Sequence, residues 1–349
     1  MATNDYFEQT WYQLRSLRSD PPTAVGGEGL RRATFTSSLE QAEQMFRAAA
    51  QVGTATRPLP LFYGLSQAGR AIACAAKAAK GDTWRLGGHG ITSGHLDGPL
   101  SAVTVTTQKK GKPGSFVRVS ELLDSPVWEE TEQPLTALWD ALPENSGWPL
   151  SKEGAVRQLP LLAQTLVRES DGPHPLASLS VMFPPSVVDA GSREAMMDYL
   201  RDYPEAQGWD SFVRVGSSPD AGPEFHVQNG WGWYPPGWGY ATLHWTVEAP
   251  WTTSAQDRIA FLQTLRRSYS NDEHLLFFPS LGTGRSVHPL MAWWAVLHAF
   301  SMLARYQPAE WAQHISIDRS TYAAAIERLL AEGIETVPGL LLQVLLDVS

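Results

Sequence analysis

Apolar residues recur at helical spacing in two early stretches of the chain. Leu39, Ala42, Met45, Phe46 and Ala49 form one stripe, and Leu61, Leu65, Ala68, Ile72 and Ala76 form a second. Positions three and four apart share a helix face, so each stripe predicts an amphipathic helix with one side turned to a core. Ser37 and Glu40 have the spacing of a capping box, which puts the first helix's start at Ser37, and Gly53 follows its end. The second helix reads LFYGLSQAGRAIACAAKAAK and stops at Gly81. Only a short link carrying Pro58 and Pro60 separates the two, so they should pack antiparallel.

After residue 95 the period shortens. SAVTVTTQ (101–108) alternates β-branched and small residues, KKGKPG is a turn, and SFVRVS reads as the second arm of a hairpin. Further strands are expected at SLSVMF (178–183), SFVRV (211–215) and YATLHWTVE (240–248). In the last, Ala241, Leu243, Trp245 and Val247 share one face opposite Thr242, His244 and Thr246. PLTALWDAL is a helical piece within this loop-rich part. From Ser254 the pattern returns to helix, with AQDRIAFLQTLRRSY ending near Asn271. The loop SLGTGRS leads to an apolar helix from Pro289, and two more helices are expected at about 318–332 and 337–347, with Pro338 near the start of the last. The predicted fold is α+β, mostly α. A discontinuous helical core, residues 1–96 and 252–349, would carry an inserted loop-rich α/β module over 97–251.

Composition narrows the function classes. With 349 residues, 43% hydrophobic and 18% charged, the chain can bury a large core as one or two domains. Its net charge of −9 argues against a broad nucleic-acid-binding face. The single cysteine, Cys74, permits no internal disulfide and no multi-cysteine zinc site, which fits a reducing compartment. Its neighbours Ala73, Ala75 and Ala76 mark it as a packed, inert residue. The most apolar long stretch, Pro289–Tyr306, contains His298, Ser301 and Arg305 and reads as a buried core helix rather than a membrane span. The expectation is therefore a soluble, cytoplasmic protein without a membrane partner.

Several motifs bear on chemistry, each beside a plainer reading. GLSQAG (64–69) approaches a nucleophile elbow, but Ala68 stands where that turn needs glycine and Ser66 lies in a helical stripe; close helix packing explains Gly64 and Gly69. Gly282-Thr283-Gly284-Arg285-Ser286 precedes a helix and could cradle an anion with Gly284 and Arg285. It lacks the lysine of a phosphate-binding P-loop, and a connecting loop is the simpler alternative. WGWYPPGWGY (231–240) could offer Trp233 and Trp238 as a stacking or protein-contact platform, or cap the module's core. Arg267 and His274 approach the Arg-x(4–6)-His pattern of helical, metal-independent ribonucleases, in which histidine is the base and arginine holds the phosphate. His298, on an apolar helix, fits a hydrogen-bonded core histidine.

GGHGITSGH (87–95) concentrates four glycines and two histidines. His89, His95 and Asp97 are too few for a metal site, and no metal or other cofactor is expected. Gly88 and Gly90 leave the backbone around His89 unobstructed, so His89 and Gly90 mark a candidate ligand loop, with a mobile hinge as the alternative.

LPLFYGLSQAGRAI, the His89-Gly90 loop and the block SMLARYQPAEW (301–311) together resemble the YaaC-like bacterial proteins. The resemblance covers about 35–95 and 285–345, maps His89, Gly90, Arg305, Tyr306, Pro308 and Trp311, and implies a cytosolic bacterial protein with no activity to carry over. A link to nucleotide or RNA processing is analogy at the level of helical folds alone. The leading expectation is a binding or accessory protein with a ligand site between the helical core and the inserted module, near His89 with Arg285 or Arg305. Its partner could be a small molecule, RNA or a protein. The alternatives are the Arg267–His274 ribonuclease and a scaffold using the Trp/Gly-rich loop; whether the protein is an enzyme stays open.

Overall fold

The computed structural model describes residues 2–112, 114–129, 131–150, 159–168, 174–218, 220–227, 236–248, 254, 256–257, 267–269 and 274–349. Its chain forms two units, Met1–Ala155 with Val287–Ser349, and Val156–Ser286.

The first unit is mostly helical. It contains α1 (Ala2–Ser19), α2 (Leu30–Gln51), α3 (Pro58–Ala75), α4 (Ser115–Leu122) and α5 (Leu135–Asp140), with α8 (Pro289–Tyr306), α9 (Pro308–His314) and α10 (Ala323–Asp347) from the far end of the chain. The centre is α3, which packs against α2, α4, α8 and α10. Its two glycines allow this. A Cβ on Gly64 would lie 2.8 Å from the Phe46 ring of α2, and one on Gly69 would lie 2.3 Å from the Trp294 ring of α8. GLSQAG is therefore a packing stripe in mid-helix, and Ser66 is not on a strand-to-helix turn.

Helices α2 and α3 run antiparallel, as the short link predicts. Phe46 near the end of α2 meets Gly64 near the start of α3. At the opposite end, Arg31 donates to the carbonyls of Cys74, Ala76 and Ala79. α3 ends at Ala75, short of the expected stop at Gly81, and Arg31 satisfies the Cys74 carbonyl in its last turn together with two carbonyls just beyond it. The start of α2 also differs from expectation. It begins at Leu30, not at the Ser37 box, and the added turns bury Phe35 against the core. Within its stripe only Met45 is exposed.

Every position of α8 from Pro289 to Ser301 is buried, which accounts for its all-round apolar sequence. α10 is continuous where two helices were expected. Pro338 sits inside it, and burial of Val337, Pro338, Leu340 and Leu341 offsets the hydrogen bond that proline removes. By length and composition α10 could also cross a bilayer, although half of its most apolar window is buried among neighbouring residues.

A small antiparallel sheet completes this unit, in the order β1 (Ile91–Gly94), β2 (Thr104–Thr107), β3 (Gln133–Pro134). The partner of β2 is thus the ITSG segment, with Ile91 opposite Thr107. SFVRVS, expected as that partner, is helix α4 and buries Phe116, Val117, Val119 and Ser120.

The second unit is built on an antiparallel sheet ordered β6 (Ser211–Phe212), β8 (Gly239–Thr246), β5 (Pro175–Phe183), β4 (Leu159–Arg168), β10 (His274–Phe277), β9 (Arg267–Tyr269), with β7 (His226–Val227) also on β8. The alternation read in β8 places Ala241, Leu243 and Trp245 in the core and leaves Thr246 exposed. Val187 of α6 (Pro185–Ala190) and Met196 and Leu200 of α7 (Arg193–Leu200) pack on that face. The expected strand SFVRV is reduced to Ser211–Phe212.

The helix expected up to Asn271 is corrected as well. Gln256 and Asp257 are helical, but Arg267–Tyr269 is a strand paired with His274–Leu276. The hairpin extends the sheet through β10, where Phe277 opposes Leu159 and is fully buried. Burial at a sheet edge overrides the weak helical spacing of this segment. The architecture is α+β, mostly α.

Candidate functional site

The GGHG segment is a fixed brace. Gly88 and Gly90 flank His89 with φ of +68° and +71°, conformations that glycine adopts without cost from a side chain. The Gly88 carbonyl accepts from the Ser115 amide at 3.1 Å and the Ser115 hydroxyl at 2.7 Å. The His89 carbonyl accepts from the Phe116 amide at 2.9 Å, and that of Gly90 from the Gln108 amide at 3.1 Å.

Ser115 and Phe116 open α4, and first-turn amides have no acceptor within their own helix. Gly114 before them has no side chain to cap with. The loop's carbonyls do the capping. The approach is close enough that a Cβ on Gly90 would lie 2.8 Å from the Gly114 Cα, and one on Gly114 would lie 2.4 Å from the Gly90 Cα.

This brace holds an exposed imidazole over an aromatic floor. The His89 ring centroid lies 5.5 Å from that of Phe62 on α3, and Phe62 also meets the ring of His298 on α8 at 5.2 Å. His298 is buried, and its Nδ1 shares a 2.8 Å hydrogen bond with the Ser93 hydroxyl on β1. It is the core histidine that the sequence indicates. Burial, and to a lesser degree His89, push its pKa down to about 3, so it is neutral near pH 7 and too weak a base to activate Ser93.

Two arginines act on His89. Its pKa is held below the usual value first by partial desolvation of the otherwise exposed ring, then by the positive charges of Arg70 and Arg305. Arg70, on α3, donates from Nη1 to the Leu86 carbonyl at 3.3 Å, just before the brace. Arg305, on α8, donates from Nη1 to the Tyr63 hydroxyl at 2.8 Å, and its guanidinium lies 4.9 Å from the Tyr306 ring centre. Among the described residues neither guanidinium pairs with a carboxylate. Arg47 does pair, with Glu8 and Glu43, as does Arg328 with Glu332, whereas Arg31 and Arg57, like Arg70, donate to backbone carbonyls.

The sequence reading named His89, Gly90 and Arg305; the fold sets the His89 ring against Phe62 and bonds Arg305 to the neighbouring Tyr63. That reading missed Arg70, Tyr63 and Ser93. One signal was present: Arg70 is the single charged residue of α3, and Arg305 that of α8. The rest of the SMLARYQPAEW block braces a corner. Trp311 donates from Nε1 to the Ala55 carbonyl at 3.0 Å, and its ring packs on Phe300 at 5.2 Å.

The other candidates lie apart from this cluster in kind. Gly284 and Arg285 belong to the second unit, in a loop where Gly282 and Gly284 have φ of +81° and +72° and Arg285 is exposed. At the start of α8 the Leu290 amide is already taken by His288 Nδ1 at 3.1 Å. Trp238 is half-buried in the second unit, and Trp233 lies outside the described residues. Arg267 and His274 fall on the β9–β10 hairpin, which removes the helical setting of the ribonuclease pattern. His95, with φ +56°, pairs with Glu132 at 3.4 Å. Among the described residues no three histidine, cysteine or acidic side chains are grouped to hold a metal. Cys74 is buried, and burial first of all pushes its thiol up to about 11, which keeps it protonated.

A model of the YaaC-like protein family matches residues 3–345, and the chain belongs to that family. No curated protein and no solved structure matches it.

Proposed function

We propose that this YaaC-like protein is a binding or accessory protein that holds a small anionic molecule at the His89 loop of its helical unit. The observation that carries the reading is a pair of guanidiniums, Arg70 and Arg305, held on two helices by neutral oxygens without a carboxylate partner among the described residues, whose charges both bear on His89. Arginine keeps its charge at any physiological pH, and positive charge left unpaired in a chain of net charge −9 is a recognition feature for an anion. Each head is fixed by one bond to a neutral oxygen, which orients it and leaves further N–H groups to donate.

Binding at this place needs no other unit of the chain, so the site is assigned to the helical unit rather than to a seam. The bacterial, cytosolic setting implied by the family resemblance and the lone cysteine is part of the same proposal. No observation favours the ribonuclease or scaffold readings.

Thermal unfolding in the presence of citrate, phosphate and sulfate tests the proposal. At least one anion is expected to raise Tm in the native protein and to lose that effect in an Arg70→Gln, Arg305→Gln double variant. An equal response in the variant, or no response to any anion in the native protein, would overturn it.

A further inference from the structure

Resting on the anion-binding reading, we infer that the molecule held at the His89 loop is a short single-stranded nucleic acid, whose phosphates run along the lysine turn Lys109–Lys112 beside that loop. The sequence concentrates positive charge here. Between Glu43 and Glu121 the chain has only two acids, Asp82 and Asp97, against ten lysines and arginines, and five of its six lysines lie from Lys77 to Lys112. The fold occupies the arginines of this stretch: Arg47, Arg85 and Arg118 pair with acids, and Arg57 and Arg70 donate to carbonyls. The five lysines are left exposed, and Lys110 and Lys112 pair with no carboxylate among the described residues. A net charge of −9 opposes a broad nucleic-acid face but not a narrow one.

The turn is built against the His89 loop at both of its ends. Before it, the Gln108 amide donates to the Gly90 carbonyl at 3.1 Å; after it, the Ser115 amide and hydroxyl donate to the Gly88 carbonyl at 3.1 Å and 2.7 Å. Within it, Gly111 has φ +82° and its amide donates to Glu121 Oε1 at 2.6 Å. The lysines therefore stand beside the exposed His89 ring, which rests on buried Phe62, and beside Gly88, where nothing lies within 4 Å of a would-be Cβ. Phe62 also meets the Tyr63 ring at 5.3 Å, and Arg305 is bonded to that tyrosine's hydroxyl. Ammonium groups next to an open ring suit a single strand, whose phosphates meet the cations while an unpaired base stacks on the ring. Other polyanions fit less well. A membrane surface calls for apolar side chains among the lysines, and residues 87–90 and 108–112 carry none. A duplex keeps its bases stacked inside and offers the ring no partner.

The test is fluorescence polarisation of the whole protein with a labelled oligouridylate of about twelve nucleotides, titrated at several salt concentrations. The Lys109→Gln, Lys110→Gln, Lys112→Gln triple variant is expected to bind about tenfold or more weakly than the native protein. Its slope of log affinity against log salt should be shallower by about 2, from three phosphate contacts at about 0.7 each. The Lys77→Gln, Lys80→Gln variant, with charge removed outside the turn, should keep the native slope. His89→Ala should weaken binding about fivefold or more at an unchanged slope, since it removes stacking and no phosphate contact. A native slope in the triple variant would overturn the inference, as would equal or tighter binding of an RNA duplex, phosphatidylserine vesicles or polyglutamate. No binding of oligouridylate while phosphate or sulfate still raises Tm would overturn it and leave the anion site standing. No oligouridylate binding and no Tm response to any anion would overturn both.

Discussion

Gly90 and Gly284 invite comparison because the sequence presents them alike. Each lies in a glycine-rich loop, the first leading into strand β1 and the second into helix α8, and their φ values are +71° and +72°. Their surroundings differ. A side chain on Gly90 would run into the backbone of Gly114, while around Gly284 nothing lies within 4 Å of a would-be Cβ. The first glycine is required by contact and conformation together, the second by conformation alone. The same divide runs through the first loop itself, since Gly88 has φ +68° and open space beside it. A candidate loop is thus better judged by what its carbonyls and Cα atoms touch than by its glycine content.

The largest effect should come from Gly90→Ala. Left-handed strain adds to a backbone clash that no rotamer can relieve, for about 3–5 kcal/mol of lost stability in urea unfolding. A loss no larger than that of Gly284→Ala would erase the distinction between the loops.

Below the first loop lies His298, and its titration should be visible in stability. Unfolded, its imidazole titrates near 6.5; folded, at about 3. Between those values the unfolded chain binds a proton that the folded one does not. The stabilising contribution is complete above pH 6.5 and is lost as pH falls toward 3, by about 3 kcal/mol at pH 4. Urea midpoints of the native protein and His298→Gln, taken at pH 7 and pH 4, should converge on acidification; a constant gap between them would contradict the assignment.

Smaller again is Gly88→Ala, expected to cost about 1–2 kcal/mol from conformation alone. A cost equal to that of Gly90→Ala would mean that the loop, not the Gly90–Gly114 contact, is the unit of stability. At the bottom of the scale is Gly284→Asn, predicted to shift stability by about 0.5 kcal/mol because asparagine tolerates left-handed backbone. Its Tm should stay within a few degrees of the native value, and a collapse would reveal a contact around this loop.

Much of the helical unit was legible because its signal is local. The α2 and α3 stripes, the short link and the α8 burial each follow from spacing within a few turns, as does the β8 alternation. What failed depended on distant partners. SFVRVS alternates like a strand, yet its first two amides donate to the distant carbonyls of Gly88 and His89, and it folds as a helix. Pro338 reads as a helix start, but burial on both sides of it keeps α10 continuous. Of the site, His89 and Arg305 could be named from composition and resemblance. Arg70 was passed over because one charge in an apolar helix looks incidental until the fold shows where it ends.

The capping of α4 by the His89 loop has a consequence in the language of hydrogen exchange. Amides in the opening turn of a helix ordinarily face water and trade their protons as fast as an unfolded chain does. Ser115 and Phe116 instead point theirs at Gly88 and His89. Deuterium can enter those two positions only when the loop lifts away. Their exchange rates therefore time the opening of the His89 loop, and a ligand that seats there would slow both clocks together.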